Sequence, residues 1–321
     1  MSRTPKPFAS LPWSPELALA MEAALSRVHA LDARISSSIL LRVWQTRAAL
    51  TGYAEALRLQ QLPIEEVDVF SHFCDVRLPG RAIPDTSGAP YDEFAIWERR
   101  LQAGEDAHWR ECLPFSFETP EGWDNAPKIV RALTLFDAWV RTDQSKWPWL
   151  QLPILLHQFG VTYEILPNLV VGTSAQRNAA TGRADQLISI LRRLATVADT
   201  GISRFSSMEE GLLRYSAAVR DERRPGKMEA LGRLLWIEPI LRPKKTADRL
   251  GMTVAGAGKL LQRAASLGLL IEISERISWK AYVTPDVGQA LGLVSKPIGR
   301  PRRMPAPPVR IRETFDALAS Q

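Results

Sequence analysis

Residues 241–282, LRPKKTADRLGMTVAGAGKLLQRAASLGLLIEISERISWKAY, constrain the fold more tightly than any other stretch of this chain. Thr246 suits the cap of a short helix ending at Leu250. Gly251 supplies the left-handed backbone position that a turn between two crossing helices needs. Thr253 is a second N-cap, so a new helix is predicted from Val254. Along it Ala257, Leu260, Leu261, Ala264 and Leu267 recur at three- and four-residue spacing, which makes one apolar face. Gly268 ends it. The period then drops to two, with Leu270, Ile271 and Ile273 before a Ser274-Glu275-Arg276 turn and Ile277, Trp279 and Tyr282 after it. Helix, tight turn, helix and hairpin is the order of a winged helix-turn-helix.

The charge on this stretch gives it a chemistry. Arg242, Lys244, Lys245, Arg249, Lys259 and Arg263 face one anion, Asp248. A helix fits the major groove of a duplex, with flanking cations on phosphates, so the expected partner is double-stranded DNA. The residues expected to meet it are Lys244, Lys245, Thr253, Ala255, Gly256, Lys259, Gln262 and Arg263, with Arg276 in the hairpin turn. The start of the second helix (Val254, Ala255, Gly256, Gly258) has almost no hydrogen-bonding reach. Two interior glycines also cost roughly 1 kcal/mol each against alanine. Either this helix packs very close to something, or its base readout is weak.

The placement of charge points the same way. The chain of 321 residues has 41 basic and 35 acidic side chains, a net +6. Residues 296–312 hold six cations and no acid, so they and residues 241–263 leave the remainder net acidic. The positive charge gathers at the C-terminal end, where a polyanion would bind. Within that tail Gly299-Arg300-Pro301, followed by Arg302 and Arg303, resembles an AT-hook core. There glycine and proline let arginines lie along a narrow A·T minor groove. Arg300, Arg302 and Arg303 therefore join the expected DNA-binding residues.

The rest of the chain reads as helical. A hydrophobic content of 45% and a charged content of 24% are those of a globular protein with two or more domains. No apolar run approaches the ~20 residues of a membrane span, and the N-terminus lacks a signal-peptide core, so a cytoplasmic, nucleoid-associated protein without membrane contact is expected. Two cysteines and four scattered histidines have no metal-ligand spacing, so no metal and no cofactor is expected. Ser14-Pro15 starts a helix striped by Leu17, Met21, Leu25, Val28 and Leu31. A second is predicted over 32–60, with Ile35, Ile39, Val43, Trp44 and Leu57 inward. Further helices are predicted over 64–73, 92–102, 128–140, 147–160 (kinked or shortened by Pro153), 179–197, 207–219 and 228–241. The charged run 220–227 serves as a linker. The expected domains are a disordered 1–13, a helical 14–222, a winged helix-turn-helix over 228–292 and a basic tail over 293–321.

Four segments carry a resemblance: RVHALDARISSS, WPWLQLPILL, YEILPNLVVGTSAQRN and the winged element. In this order they are similar to Fic-domain proteins. More closely, the chain resembles a bacterial, largely plasmid-borne family of helix-turn-helix proteins whose N-terminal domain has no assigned function. DRLGMTVAGAGKLLQRAASLGLL is the best-matching segment. The resemblance implies a mainly α fold, a degenerate Fic-like domain followed by the winged element. Fic enzymes use a histidine base, an acidic magnesium ligand, a glycine-rich phosphate cradle and an arginine. The matching window, residues 145–153 (SKWPWLQLP), has no histidine, acid, glycine or arginine. His157 lies nearby among Leu155, Leu156 and Phe159, where a structural role suits it better than that of a displaced base. No catalytic residue is assigned, and the domain is expected to be a pseudo-enzyme. The expected function is DNA binding as a transcriptional regulator or plasmid-maintenance factor. A homodimer is expected, with a small molecule or protein acting on the N-terminal domain as effector. The rivals are a Fic-like nucleotidyl or phosphoryl transferase and a protein-interaction adaptor.

Overall fold

The computed structural model describes residues 6–76, 78, 90–103, 109–111, 113–177, 182–223, 225–273 and 280–295. The chain is mainly helical and falls into two compact units. One comprises Met1–His72 and Ala82–Phe205, the other Phe73–Arg81 and Ser206–Gln321. The division at Phe205 falls ahead of the charged run 220–227 that the sequence suggests as a linker. No helix among the described residues is long and apolar enough to cross a membrane.

Among its described residues the first unit opens with a 3-10 turn over Phe8–Ser10 that buries Phe8, within the stretch 1–13 that the sequence suggests is disordered. It is followed by α1 (Pro15–Ser36), whose cap is the expected one: the Ser14 hydroxyl accepts from the Leu17 amide at 3.2 Å. The expected break after residue 31 is absent. The helix runs on to Ser36 because Asp32 and Ile35 are buried with the stripe of Leu17, Ala24, Val28 and Leu31. Asp32 also has work to do there, accepting from the amides of Tyr163 at 2.6 Å and Glu164 at 3.0 Å. Helix α2 (Leu41–Leu59) starts only after a turn, and Ile39, expected inside, is exposed on that turn. Then come α3 (Glu66–Phe73), α4 (Phe94–Ala103), α5 (Lys128–Thr142) and α6 (Trp147–Gln158). Pro153 does not shorten α6, which continues past it to Gln158. Helices α5 and α6 pack together, with the Phe136 and Trp149 rings 5.7 Å apart edge to face.

The largest departure from expectation is α7, one helix over Arg183–Asp221 where the sequence suggests two. Gly201, a poor helix former, lies between those two predicted helices. Here that glycine is required by packing, since a Cβ would lie 2.7 Å from Asn168 Nδ2 and 3.0 Å from Leu31 Cδ2. Ala198 and Phe205, on either side, are fully buried, and this burial outweighs the propensity cost.

In the second unit the end of α7 leads to α8 (Met228–Ile237), which stops short of the expected residue 241. Ile240 and Leu241 instead form β1, paired antiparallel with β3 (Tyr282–Val283), which also pairs with β2 (Ile271–Glu272). The sheet order is β1-β3-β2. Between β1 and β2 lie α9 (Pro243–Leu250) and α10 (Val254–Ser266), and α11 (Pro285–Ala290) follows β3. Met228, Leu231, Leu235, Leu241, Leu260, Leu261, Ala264 and Tyr282 share one apolar core, to which Tyr215 of α7 belongs. The buried Tyr215 hydroxyl donates to the Met228 carbonyl at 2.6 Å, and burial pushes its phenol far above the usual range.

Candidate nucleic-acid interface

The turn between α9 and α10 is built from local chemistry. Gly251 takes the left-handed conformation (φ 56°, ψ 58°), closing α9. The Met252 amide donates back to the Ala247 carbonyl at 3.0 Å. Lys227 adds a cation at this helix C-terminus, with its Nζ donating to the carbonyls of Leu250 and, at 3.1 Å, Gly251. Thr253 then opens α10 as expected, its hydroxyl accepting from the Gly256 amide at 3.1 Å. Thr246 does not cap α9. It lies inside that helix, fully buried, and donates to the Arg242 carbonyl at 3.0 Å, while the helix starts at Pro243.

Helix α10 buries Ala257, Leu260, Leu261 and Ala264. Leu267, expected on that face, is exposed beyond the helix end. The outward face carries Val254, Ala255, Lys259 and Gln262 with Gly258 between them. Gly258 faces open space: a Cβ built there meets nothing within 4 Å. So nothing among the described residues packs close on Gly258 to offset its cost to the helix.

The six cations of the helix pair divide into two classes. Lys244 and Lys259 are exposed and have no ion-pair partner among the described residues. The other four meet acids that come from outside the pair. Arg242 donates to Asp75 at 3.0 Å. Arg263 donates through Nε to Glu222 at 3.0 Å. Glu238, at the end of α8, takes both Lys245 (2.7 Å) and Arg249 (2.8 Å). Lys245 also donates to the Cys74 carbonyl at 2.8 Å and is only 16% exposed, so two of the expected contact residues, Lys245 and Arg263, are held by the protein itself. Arg276, Arg300, Arg302 and Arg303 lie outside the described residues, as do the expected hairpin positions Ile277 and Trp279.

In the first unit the window 145–153 enters α6, and Pro148, Trp149, Leu150, Gln151, Leu152 and Pro153 are all buried. His157 is part-buried on the same helix. That unit also holds a buried carboxylate, Asp137 on α5. It receives Arg183 at 2.5 Å, Arg141 at 3.0 Å and Gln176 at 3.2 Å. Among the described residues no group of three or more His, Cys, Asp or Glu side chains is placed to hold a metal ion. No family model and no curated protein matches the chain.

Proposed function

We propose that the second unit is a winged helix-turn-helix that binds duplex DNA, with α10 entering the major groove and α9 crossing the backbone. The observation that carries this reading is the α9–Gly251–Thr253–α10 junction. It combines a left-handed glycine and a threonine cap with an outward α10 face that holds Lys259 and Gln262 and no acid. The order α8, β1, α9, α10, β2, β3 supports it as well, since the β2–β3 hairpin stands where a wing belongs. The six-cation tail would add phosphate contacts, and Arg300 an A·T preference in the minor groove. In this reading the protein is a transcriptional regulator or plasmid-maintenance factor of the nucleoid. The first unit serves for dimerisation or for sensing a small molecule or protein, as the resemblance to plasmid-borne helix-turn-helix proteins implies.

The first unit is assigned no transfer chemistry. Window 145–153 lacks every group that Fic catalysis uses, and its residues 148–153 are taken up by the packing of α6. Label passing from nucleoside triphosphate to protein, and lost in His157→Ala, would overturn that assignment.

The test is a titration of the full-length protein on duplexes, across a salt series, with footprinting on the region upstream of its own gene. Lys244→Ala and Lys259→Ala should each lower the slope of log K against log salt by about one unit. Arg300→Ala should abolish any preference for flanking A·T tracts and Arg310→Ala should leave it. Binding that ignores salt would sink the proposal.

A further inference from the structure

We infer that Arg249, which the charge pattern alone does not single out, is a phosphate-contacting residue, carried at rest by Glu238 and released when DNA binds. The inference rests on the DNA-binding reading above and deepens it at one side chain. Its basis is the uneven pair of cations on a single carboxylate. Glu238 is 11% exposed on its side chain, so it cannot lose all its counter-charge without leaving a nearly buried anion. It has two partners, one helical turn apart on α9. Lys245 is 16% exposed and is pinned a second time by the Cys74 carbonyl. Arg249 is 58% exposed, and among the described residues its bond is the 2.8 Å contact to Glu238.

The two cations therefore differ in what their departure costs. If Lys245 swung out, it would abandon a carbonyl and leave Glu238 with only a solvent-facing partner. If Arg249 swung out, Glu238 would still hold Lys245 at 2.7 Å and remain neutralised. Arg249 gives up one contact, from a mostly exposed guanidinium to a carboxylate that Lys245 still neutralises, so the exchange needs little free energy. A phosphate then offers the planar guanidinium two oxygens where Glu238 gives it one. Arg263 fails the same criterion. Its partner Glu222 is 16% exposed and has no second cation among the described residues, so release would strand a part-buried charge.

Position agrees with this. Arg249 is the last but one residue of α9, beside the Gly251 turn, and on the exposed side with Lys244 and Asp248. Asp248 is the acid of that face and forms no ion pair among the described residues, so it lowers the local potential without occupying Arg249. The helix that crosses the backbone would thus offer Lys244 and Arg249 to phosphates, while Lys245 stays inside as the counter-ion that permits it.

The deciding measurement compares Arg249→Ala, Arg249→Lys and Lys245→Ala in the full-length protein, each titrated on a 30-bp duplex (~30 bp, enough for one site with flanks) from 50 to 200 mM KCl (about a four-fold range). Arg249→Ala should reduce the salt slope by about 0.9, so that the affinity lost over that range is about three-fold smaller than for the wild type. Arg249→Lys should restore the slope, since a point charge suffices for ion release. Lys245→Ala should lower Tm and lower the slope as well, because Glu238 then has only Arg249 and keeps it; adding Glu238→Gln to that variant should bring the slope back. A wild-type slope retained in Arg249→Ala, or a slope that stays low in the Lys245→Ala, Glu238→Gln double variant, would overturn the inference while DNA binding stands. A wild type with no salt-dependent affinity for duplex would instead bring down the DNA-binding reading on which it rests.

Discussion

Each unit of the molecule contains one buried carboxylate that holds two cations, and the two sites differ in a single respect. Around Asp137 in the first unit every partner is enclosed: Arg183 is 6% exposed, and Gln176 completes the shell from a fully buried position. Around Glu238 in the second unit one partner is enclosed and the other faces water. The composition of the two sites is nearly the same, a carboxylate and two basic side chains. Burial alone makes one a structural knot and the other a site with a detachable member. A charge pair in a sequence therefore has no fixed meaning until its depth is known.

The sharpest way to break this comparison is to neutralise both carboxylates. Asp137→Asn strands the buried Arg183 guanidinium, so unfolding should show a loss of about 3–5 kcal/mol, the usual cost of breaking a buried pair from one side. Equal stability of the variant in a denaturant titration would mean that the knot is solvated. Glu238→Gln should cost less, about 1–2 kcal/mol, because Arg249 gives up its ion pair to water and Lys245 keeps its Cys74 carbonyl. If the two losses come out equal, depth is not what separates the sites.

A third substitution, with the smallest effect and the opposite sign, tests the outward face of α10. Gly258→Ala should stabilise the free protein by about 0.5–1 kcal/mol, since the new methyl meets open space. The same methyl should weaken duplex binding if that face approaches a groove wall. Gains in both properties would show that Gly258 is not at the interface.

What could be read in the sequence here was chemistry confined to a few neighbouring residues. The Ser14 and Thr253 caps, the left-handed Gly251 and the positive φ of 71° at Gly268 are all where local rules put them. Distant partners erased what local rules predicted elsewhere. Residues 240 and 241 extend a helical pattern in the sequence but become a strand because Tyr282 and Val283 arrive beside them. Gly201 looks like a helix end until Leu31 and Asn168 close on it. The cations of α9 and α10 look equivalent in a row of letters. Their acids, Asp75, Glu222 and Glu238, sit 167, 41 and 11 residues away from Arg242, Arg263 and Arg249, too scattered to be matched by eye.

The membership of Phe73 and the residues just after it in the second unit has a consequence for the order of events during synthesis. Cys74 and Asp75 leave the ribosome long before the helix they hold, since Lys245 lies 171 positions after Cys74. At 5–20 residues per second (about the usual range) that interval is roughly 10–30 s. For that time the backbone carbonyl of Cys74 and the carboxylate of Asp75 are without the lysine and arginine that complete them. The second unit can close only after residues 240–283 have been made, whichever parts of the first have already formed.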